Sequence, residues 1–190
     1  QVGRLVQCLK EQGEYDNTII LFTSDHGDLM GEYGQFQKGI FYDLVTNVPC
    51  ILKAPDLASG QVRDNLTECV DIGPTLLELC GLPVQSQFVG KNMLKSHKEE
   101  IISEILLGGC RRACIRNTEY CLDITLEREG IPVTPDQYDG KLISLKQDPD
   151  FHRNLFTCPE ALQVREQLIQ KLRRRIYENA VPVQLGSRPK

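Results

Sequence analysis

Apolar residues in the first part of the chain follow first a helical and then a strand-like spacing. Three or four residues apart, and so on one face of a helix, are the apolar residues Val2, Leu5, Val6 and Leu9. This spacing predicts an amphipathic helix over residues 1–12. The run TIILF at 18–22 is continuously apolar or β-branched, which predicts a buried strand of a parallel sheet over residues 18–23.

A second apolar run and a second helical segment follow. VPCILKAP at 48–55 predicts another strand, and VDIGPTLLELCGLP at 70–83 predicts a helix. The first turn of that helix tolerates Pro74, and Gly81 ends it. Because strands and helices alternate up to about residue 95, residues 1–95 are predicted to form an open, largely parallel α/β sheet with flanking helices.

The second half of the chain has a different pattern, with short apolar runs at close spacing that are bounded by turn residues. These runs lie at 100–107, 111–118, 119–127 and 141–147. They predict a small antiparallel sheet. The last run, 159–180, predicts a C-terminal helix whose apolar face comprises Leu162, Ile169, Leu172 and Ile176. Residues 96–190 are therefore predicted to be a small α+β subdomain, in which the sheet packs with this helix.

Composition and charge narrow the class of protein. The 190 residues are 41% hydrophobic and 25% charged, as is typical of globular proteins. The net charge of -4 gives no electrostatic reason to expect nucleic acid or an anionic membrane surface as a partner. No apolar run is long enough to span a bilayer, and the basic stretch Lys171–Arg175 is explained by the dipole at a helix C-terminus. The chain opens inside a helix without Met, so we expect it to be a piece of a longer protein.

The eight cysteines favour core packing over a metal site. Cys50, Cys80 and Cys121 lie in apolar settings, as buried thiols do. Cys110 and Cys114 have neither the Cys-x-x-Cys spacing nor the His partners of a zinc site. This usage favours free thiols in a reducing compartment, and so the cytoplasm.

Residues that could bind a cation follow the first predicted strand. Asp25 and His26 stand just beyond its end, where open α/β sheets bind their ligands. A carboxylate oxygen and an imidazole nitrogen suit a divalent cation, and Gly27 allows the turn that would aim both at one ion. Lys38 follows on a glycine-rich loop. Its ammonium would be tolerated near a cation only with an anion between them, an arrangement suited to holding a charged oxyanion ester.

An ordinary turn after a strand is the alternative to a cation site. In such a turn, His26 would be hydrogen-bonded and Lys38 would lie in solvent. A hard cation prefers about six or more donors, so two ligands make an incomplete site. The remaining ligands must come from outside these residues, or there is no site.

The segment from Asp16 to Pro55 resembles the type I sulfatases of the alkaline phosphatase superfamily. It contains the family's Thr/Ser-Asp-His-Gly turn, its Lys-Gly-x-x-Tyr-Asp segment and the Val-Pro that opens the next strand. The likeness continues in the Asp-x-x-Pro-Thr helix at 71–75, in Gly90 and in the segment 138–156. It therefore covers nearly the whole chain.

This resemblance implies the C-terminal part of a metal-dependent sulfate ester hydrolase with an alkaline-phosphatase-like sheet. By position, Asp25 and His26 would bind the metal, Ca²⁺ or alternatively Mn²⁺. Lys38 would be catalytic and would bind the substrate, a sulfated small molecule or glycan, through its sulfate. Tyr33 departs from the family, which has His there in Gly-Glu-His-Gly.

The family's nucleophile motif, Cys/Ser-x-Pro-x-Arg, does not occur in this sequence. The formylglycine that matures from its Cys is therefore expected upstream, in the missing N-terminal half, and this chain alone is expected to be inactive. A phosphonate or phosphate ester hydrolase of the same superfamily would carry the same Asp-His pair. A non-catalytic fragment with a structural or binding role is the alternative from another class.

Overall fold

The computed structural model describes residues 1–178. These residues form a mixture of helices and strands, as predicted. The chain divides into two compact units, Gln1–Val84 with Gly90–Lys98, and Gln85–Val89 with Glu99–Lys190. The assignment of two functional domains that meet near residue 95 stays a prediction. Across residues 1–178, no helix is both long enough and apolar enough to cross a bilayer.

The first unit contains the helices and strands that the apolar pattern predicts, together with two short strands and one four-residue helix that it does not. The elements are α1 (Val2–Glu11), β1 (Ile20–Thr23), β2 (Leu29–Met30), β3 (Phe36–Gln37), α2 (Asp43–Thr46), β4 (Cys50–Lys53) and α3 (Ile72–Leu79). Pro74 lies in the first turn of α3, and Gly81 follows its end with φ 70°. The predicted positions of both long helices are confirmed.

The expectation of a parallel pairing around the first strand is wrong. β1 pairs with β4 in antiparallel register, with Ile20 opposite Lys53 and Thr23 opposite Cys50. A parallel pair needs a crossover of a dozen or more residues, usually a helix. The connection here is long enough, but it contains a small hairpin and only the four-residue helix α2, with no helix that runs back along the strands, and the chain returns in the opposite direction. Phe22 is also largely exposed rather than buried.

A buried carboxylate ties the start of α3 to the segment that follows it. Asp71 is fully buried and accepts hydrogen bonds from the backbone N–H groups of Glu68 (2.9 Å) and Lys91 (2.8 Å). The Lys98 ammonium pairs with the carboxylates of both Asp71 and Glu68. A side chain at Gly90 would collide with the Val70 carbonyl oxygen, so glycine is required for this close approach.

The second unit is an antiparallel sheet packed with a helix, as predicted. Its elements are β5 (Ile101–Leu107), β6 (Cys110–Arg116), β7 (Tyr120–Arg128), β8 (Ile131–Pro132), β9 (Gly140–Ser144) and α4 (Leu162–Glu178). The strand order is β5-β6-β7-β8, and β9 pairs with β7. Residues from the sheet and the helix form one core: Ala113, Ile115, Leu122, Ile124, Leu142, Leu168, Ile169 and Leu172.

The apolar face of α4 differs from the prediction at its start. Leu162 is exposed, and Leu168 is buried in its place. The predicted end of the helix at Ala180 lies outside the described residues. Lys171 in the basic stretch forms an ion pair with Glu100 (3.0 Å), and Arg175 donates to the Glu100 carbonyl oxygen (2.8 Å). Two cations of the basic stretch, Lys171 and Arg175, therefore have partners within the protein.

The prediction that the cysteines are mostly buried is wrong for Cys50 and Cys80, which are exposed. Cys50 opens a strand of a two-stranded sheet, and Cys80 follows the last residue of α3, so both lie at element ends. Cys121 is buried as predicted, and its Sγ lies 3.4 Å from that of Cys114 on the neighbouring strand.

Candidate functional site

The turn after β1 carries the two predicted metal ligands. Asp25 and His26 follow the last strand residue, Thr23, by two and three positions. The Ser24 hydroxyl donates to the His26 carbonyl oxygen at 2.8 Å and lies 3.3 Å from an Asp25 carboxylate oxygen. The turn is therefore closed by its own side chains, and it places both residues at the carboxyl end of the strand.

Helix α2 fixes the far side of this turn. The Gly27 N–H donates to the Val45 carbonyl oxygen at 2.8 Å. A Cβ built on Gly27 would stand 2.0 Å from the Leu44 carbonyl oxygen, so only glycine lets the turn approach the helix this closely. The backbone next to His26 is thereby held against α2.

A small hairpin returns Lys38 to this turn. β2 and β3 pair in antiparallel register, with Leu29 opposite Gln37 and Met30 opposite Phe36. Lys38 directly follows the hairpin, and its Nζ contacts His26 Nε2 although the two residues are twelve positions apart. The structure therefore brings all three predicted site residues together.

The hydrogen bonds of His26 define which ring nitrogen can act as a ligand. Its Nδ1 lies 2.9 Å from the Gly27 carbonyl oxygen, which can only accept, so Nδ1 carries the hydrogen and donates it. Nε2 then presents a lone pair, to which the Lys38 ammonium donates. A carbonyl partner on the other nitrogen is also the usual way in which proteins orient a metal-binding His.

Asp25 lies on the same side of the ring as this lone pair. Its Oδ2 is 3.4 Å from His26 Nε2, and its side chain is 83% exposed. The His26 backbone N–H donates to the other carboxylate oxygen at 2.9 Å, which lowers the pKa of Asp25 below its ordinary value. The carboxylate therefore stays charged into the acidic range, where it can still attract a cation.

The separation of these two donors fits a shared divalent cation. Two ligands at right angles, each about 2.4 Å from a calcium ion, lie about 3.4 Å apart. Asp25 Oδ2 and His26 Nε2 have that separation. The Lys38 ammonium, which contacts Nε2, would have to move aside for such an ion.

Other donors do not complete the site among the residues described. Asp28 lies 4.0 Å from His26 Nδ1, which is the wrong side of the ring. Within residues 1–178, no group of three or more His, Cys, Asp and Glu residues is placed to hold a metal ion. Asp25 and His26 can therefore supply only part of a coordination shell.

Sequence reasoning missed the supports of the site. It placed Lys38 on a loop, as the structure does, but it missed the hairpin that directly precedes this residue, because strands of two residues leave no periodic signal. It also missed the role of Ser24 in closing the turn and that of α2 in holding Gly27. The glycines at 31, 34 and 39 were the available signal, and all three have positive φ.

Comparison with known proteins relates the chain to a family. Residues 1–82 match the family model described as Sulfatase. Arylsulfatase K of Canis lupus familiaris is 29% identical over 182 residues, which cover 90% of this chain and 34% of that protein. The chain thus spans about a third of the length of this relative.

Two solved structures share the fold over nearly the whole chain. One, a protein in complex with its substrate D-glucosamine-2-N,6-O-disulfate, has a TM-score of 0.81 and 25% identity, covering 94% of this chain and 38% of its own. The other, a phosphonate monoester hydrolase from Silicibacter pomeroyi, has a TM-score of 0.82 and 22% identity, with the same two coverages. The second likeness concerns the fold alone.

Proposed function

We propose that this chain is part of a sulfatase and that the full-length protein hydrolyses a sulfate ester. The match of residues 1–82 to the Sulfatase family model and the similarity to Arylsulfatase K support this proposal. The observation that carries the proposal is the meeting of three groups at the carboxyl end of β1. A carboxylate, an imidazole lone pair and an ammonium converge there from two separate segments of the chain.

Asp25 and His26 are two ligands of a divalent cation in this proposal. Their charge, separation and ring orientation support Ca²⁺ first and Mn²⁺ second. The chemistry that a bound cation supplies is polarisation of the ester's oxygen atoms. The remaining ligands come from a part of the protein outside these 190 residues.

Lys38 binds the sulfate group of the substrate. Lys38 is exposed and directly follows the hairpin, with its ammonium beside His26, so a sulfate oxygen can take the place that Nε2 now occupies against the ammonium. An anion between the ammonium and the cation also removes the repulsion that the two would otherwise have. Lys38 then offsets negative charge that develops on the ester oxygens.

The nucleophile of the reaction lies outside this chain in the proposal. The motif whose Cys or Ser supplies it in sulfatases is missing from the sequence. Activated nucleophiles are what split such hydrolyses into two easier steps. This chain alone is therefore expected not to hydrolyse aryl sulfates.

The substrate class is a sulfated small molecule or glycan. The solved relative that holds D-glucosamine-2-N,6-O-disulfate supports a sulfated sugar. A phosphonate monoester is the second candidate, because the phosphonate hydrolase has the same fold over this chain and its substrate is also a tetrahedral oxyanion ester.

Calorimetric titration with Ca²⁺ tests the metal assignment. The full-length protein should bind Ca²⁺ firmly, whereas this chain, with two donors, should bind it only in roughly the millimolar range. Asp25→Asn should weaken binding in the full-length protein at least tenfold. Asp28→Asn is the matched control, because it removes a nearby carboxylate on the other side of the ring. Equal losses in both variants would contradict the assignment.

Turnover of paired nitrophenyl esters tests the reaction. The full-length protein should cleave the sulfate ester faster than the phosphonate ester, and Lys38→Met should lower the rate with the sulfate. Faster cleavage of the phosphonate would favour the second candidate. No cleavage of either ester, together with no calcium binding, would indicate a non-catalytic protein.

A further inference from the structure

The hairpin that carries Lys38 is weakly built. It contains only two residue pairs, and hairpins this small are marginal in water. In β2 the side chain of Leu29 is buried. In β3 neither residue is buried, and Phe36 is 72% exposed. The strand that leads into Lys38 therefore depends on contacts made elsewhere along the hairpin.

Tyr33, at the tip of the hairpin, makes such a contact. Its ring meets that of Tyr42 edge to face, with the ring centroids 4.7 Å apart and an angle of 77° between the planes. Tyr33 also has φ 54°, a left-handed conformation that is uncommon for a residue with a large side chain. Surrounding structure must hold such a residue in place, and the aromatic contact is a packing interaction that does so.

Tyr42 is the residue that connects the hairpin to the rest of the site. It is buried and is the N-cap residue that directly precedes α2, and its carbonyl oxygen accepts the Val45 N–H at 2.9 Å. Val45 in turn accepts the N–H of Gly27, next to His26. One short helix thus holds both segments that meet at the site, the His26 turn through a backbone hydrogen bond and the hairpin through the Tyr33 ring.

We propose that Tyr33 is a positioning residue, whose ring contact with Tyr42 keeps Lys38 beside His26. The catalytic consequence rests on the proposed function, whereas the positional claim does not. When only a fraction of molecules holds Lys38 in place, the apparent affinity for the sulfate group falls by that fraction. At saturating substrate, the bound sulfate group holds the Lys38 ammonium in the competent position. The loss therefore appears as a higher KM rather than as a lower kcat.

Steady-state kinetics of the full-length protein with a nitrophenyl sulfate test the catalytic consequence. Tyr33→Asn removes the ring but keeps a residue that tolerates positive φ. It should raise KM and the inhibition constant of inorganic sulfate by about 3- to 10-fold, with kcat within about twofold. Tyr33→Phe keeps the ring and should restore both constants. A merely structural role would instead lower the active fraction and hence the apparent kcat.

Phe36→Ala is the matched control, because it removes another aromatic ring from the same hairpin but one that faces solvent. It should leave KM unchanged. An equal rise of KM in Phe36→Ala and Tyr33→Asn, or a failure of Tyr33→Phe to restore it, would overturn the proposal.

Nitrogen-15 NMR of the His26 ring in this chain, at one fixed pH, tests the positional claim without any turnover. Lys38→Met gives the Nε2 chemical shift of a ring that lacks its ammonium partner. Tyr33→Asn should move the Nε2 resonance toward that reference, and Tyr33→Phe should leave it at the wild-type position. An unmoved resonance in Tyr33→Asn would refute the claim even if the protein hydrolyses sulfate esters. A moved resonance in a protein that cleaves no ester would uphold the positional claim and refute the proposed function.

Discussion

Replacing Gly27 by Ala should separate the His26 turn from α2. The added Cβ would stand 2.0 Å from the Leu44 carbonyl oxygen and 3.1 Å from its carbon. These are backbone atoms of a helix, so they cannot rotate away. The two segments must therefore part by about 1 Å to reach even a tight contact.

That separation breaks a hydrogen bond as well as the packing. The Gly27 N–H to Val45 O distance of 2.8 Å would grow beyond hydrogen-bonding range. Overpacking costs about 1–3 kcal/mol and the lost bond about 1 kcal/mol. The unfolded Gly27→Ala chain has less conformational entropy than the unfolded wild-type chain, which offsets about 0.4–1 kcal/mol of this cost. The net loss in the free energy of unfolding is therefore about 1–3.6 kcal/mol.

Urea unfolding of the chain, followed by far-UV circular dichroism, measures this loss. Gly3→Ala is the control, because Gly3 lies in α1 with no atom within 4 Å of an added Cβ. It should be neutral or should stabilise the chain by up to about 1 kcal/mol, through helix propensity. A Gly27→Ala chain as stable as wild type would refute the inference that the turn and the helix need this close approach.

Two further predictions concern buried charge and buried thiols. Lys98→Met should lower the free energy of unfolding by about 3–5 kcal/mol, because it leaves the buried carboxylates of Asp71 and Glu68 without their cation. Lys95→Met, which removes a lysine that is 73% exposed from its pair with Glu78, should cost under about 1 kcal/mol in the same urea experiment, and similar losses in both would contradict the argument. The hydrogen bond with Cys121 and burial raise the pKa of the Cys114 thiol well above its ordinary value, so iodoacetamide at neutral pH should label exposed Cys8 long before Cys114. Mass spectrometry of the labelled chain checks this order, and equal rates would show that Cys114 is accessible in the folded chain.

Local patterns in the sequence were sufficient to place most helices and strands. The apolar spacing in α1, α3 and α4 and the short runs of the second unit report periodicities that a few neighbouring residues set by themselves. The Asp-His-Gly turn after β1 was visible for the same reason, since a strand end and a glycine are local features. The resemblance to sulfatases also rested on short motifs in order along the chain.

Contacts between distant residues were decided only by the tertiary structure. The antiparallel pairing of β1 with β4 depends on how the chain between them folds, and no residue within either strand specifies its direction. The placement of Lys38 against His26 depends on a hairpin too short to leave a periodic signal and on a tip contact with Tyr42. The sequence by itself therefore determined which residues could form the site. Their meeting was decided by long-range packing, because the distance between two side chains is set by everything that folds between them.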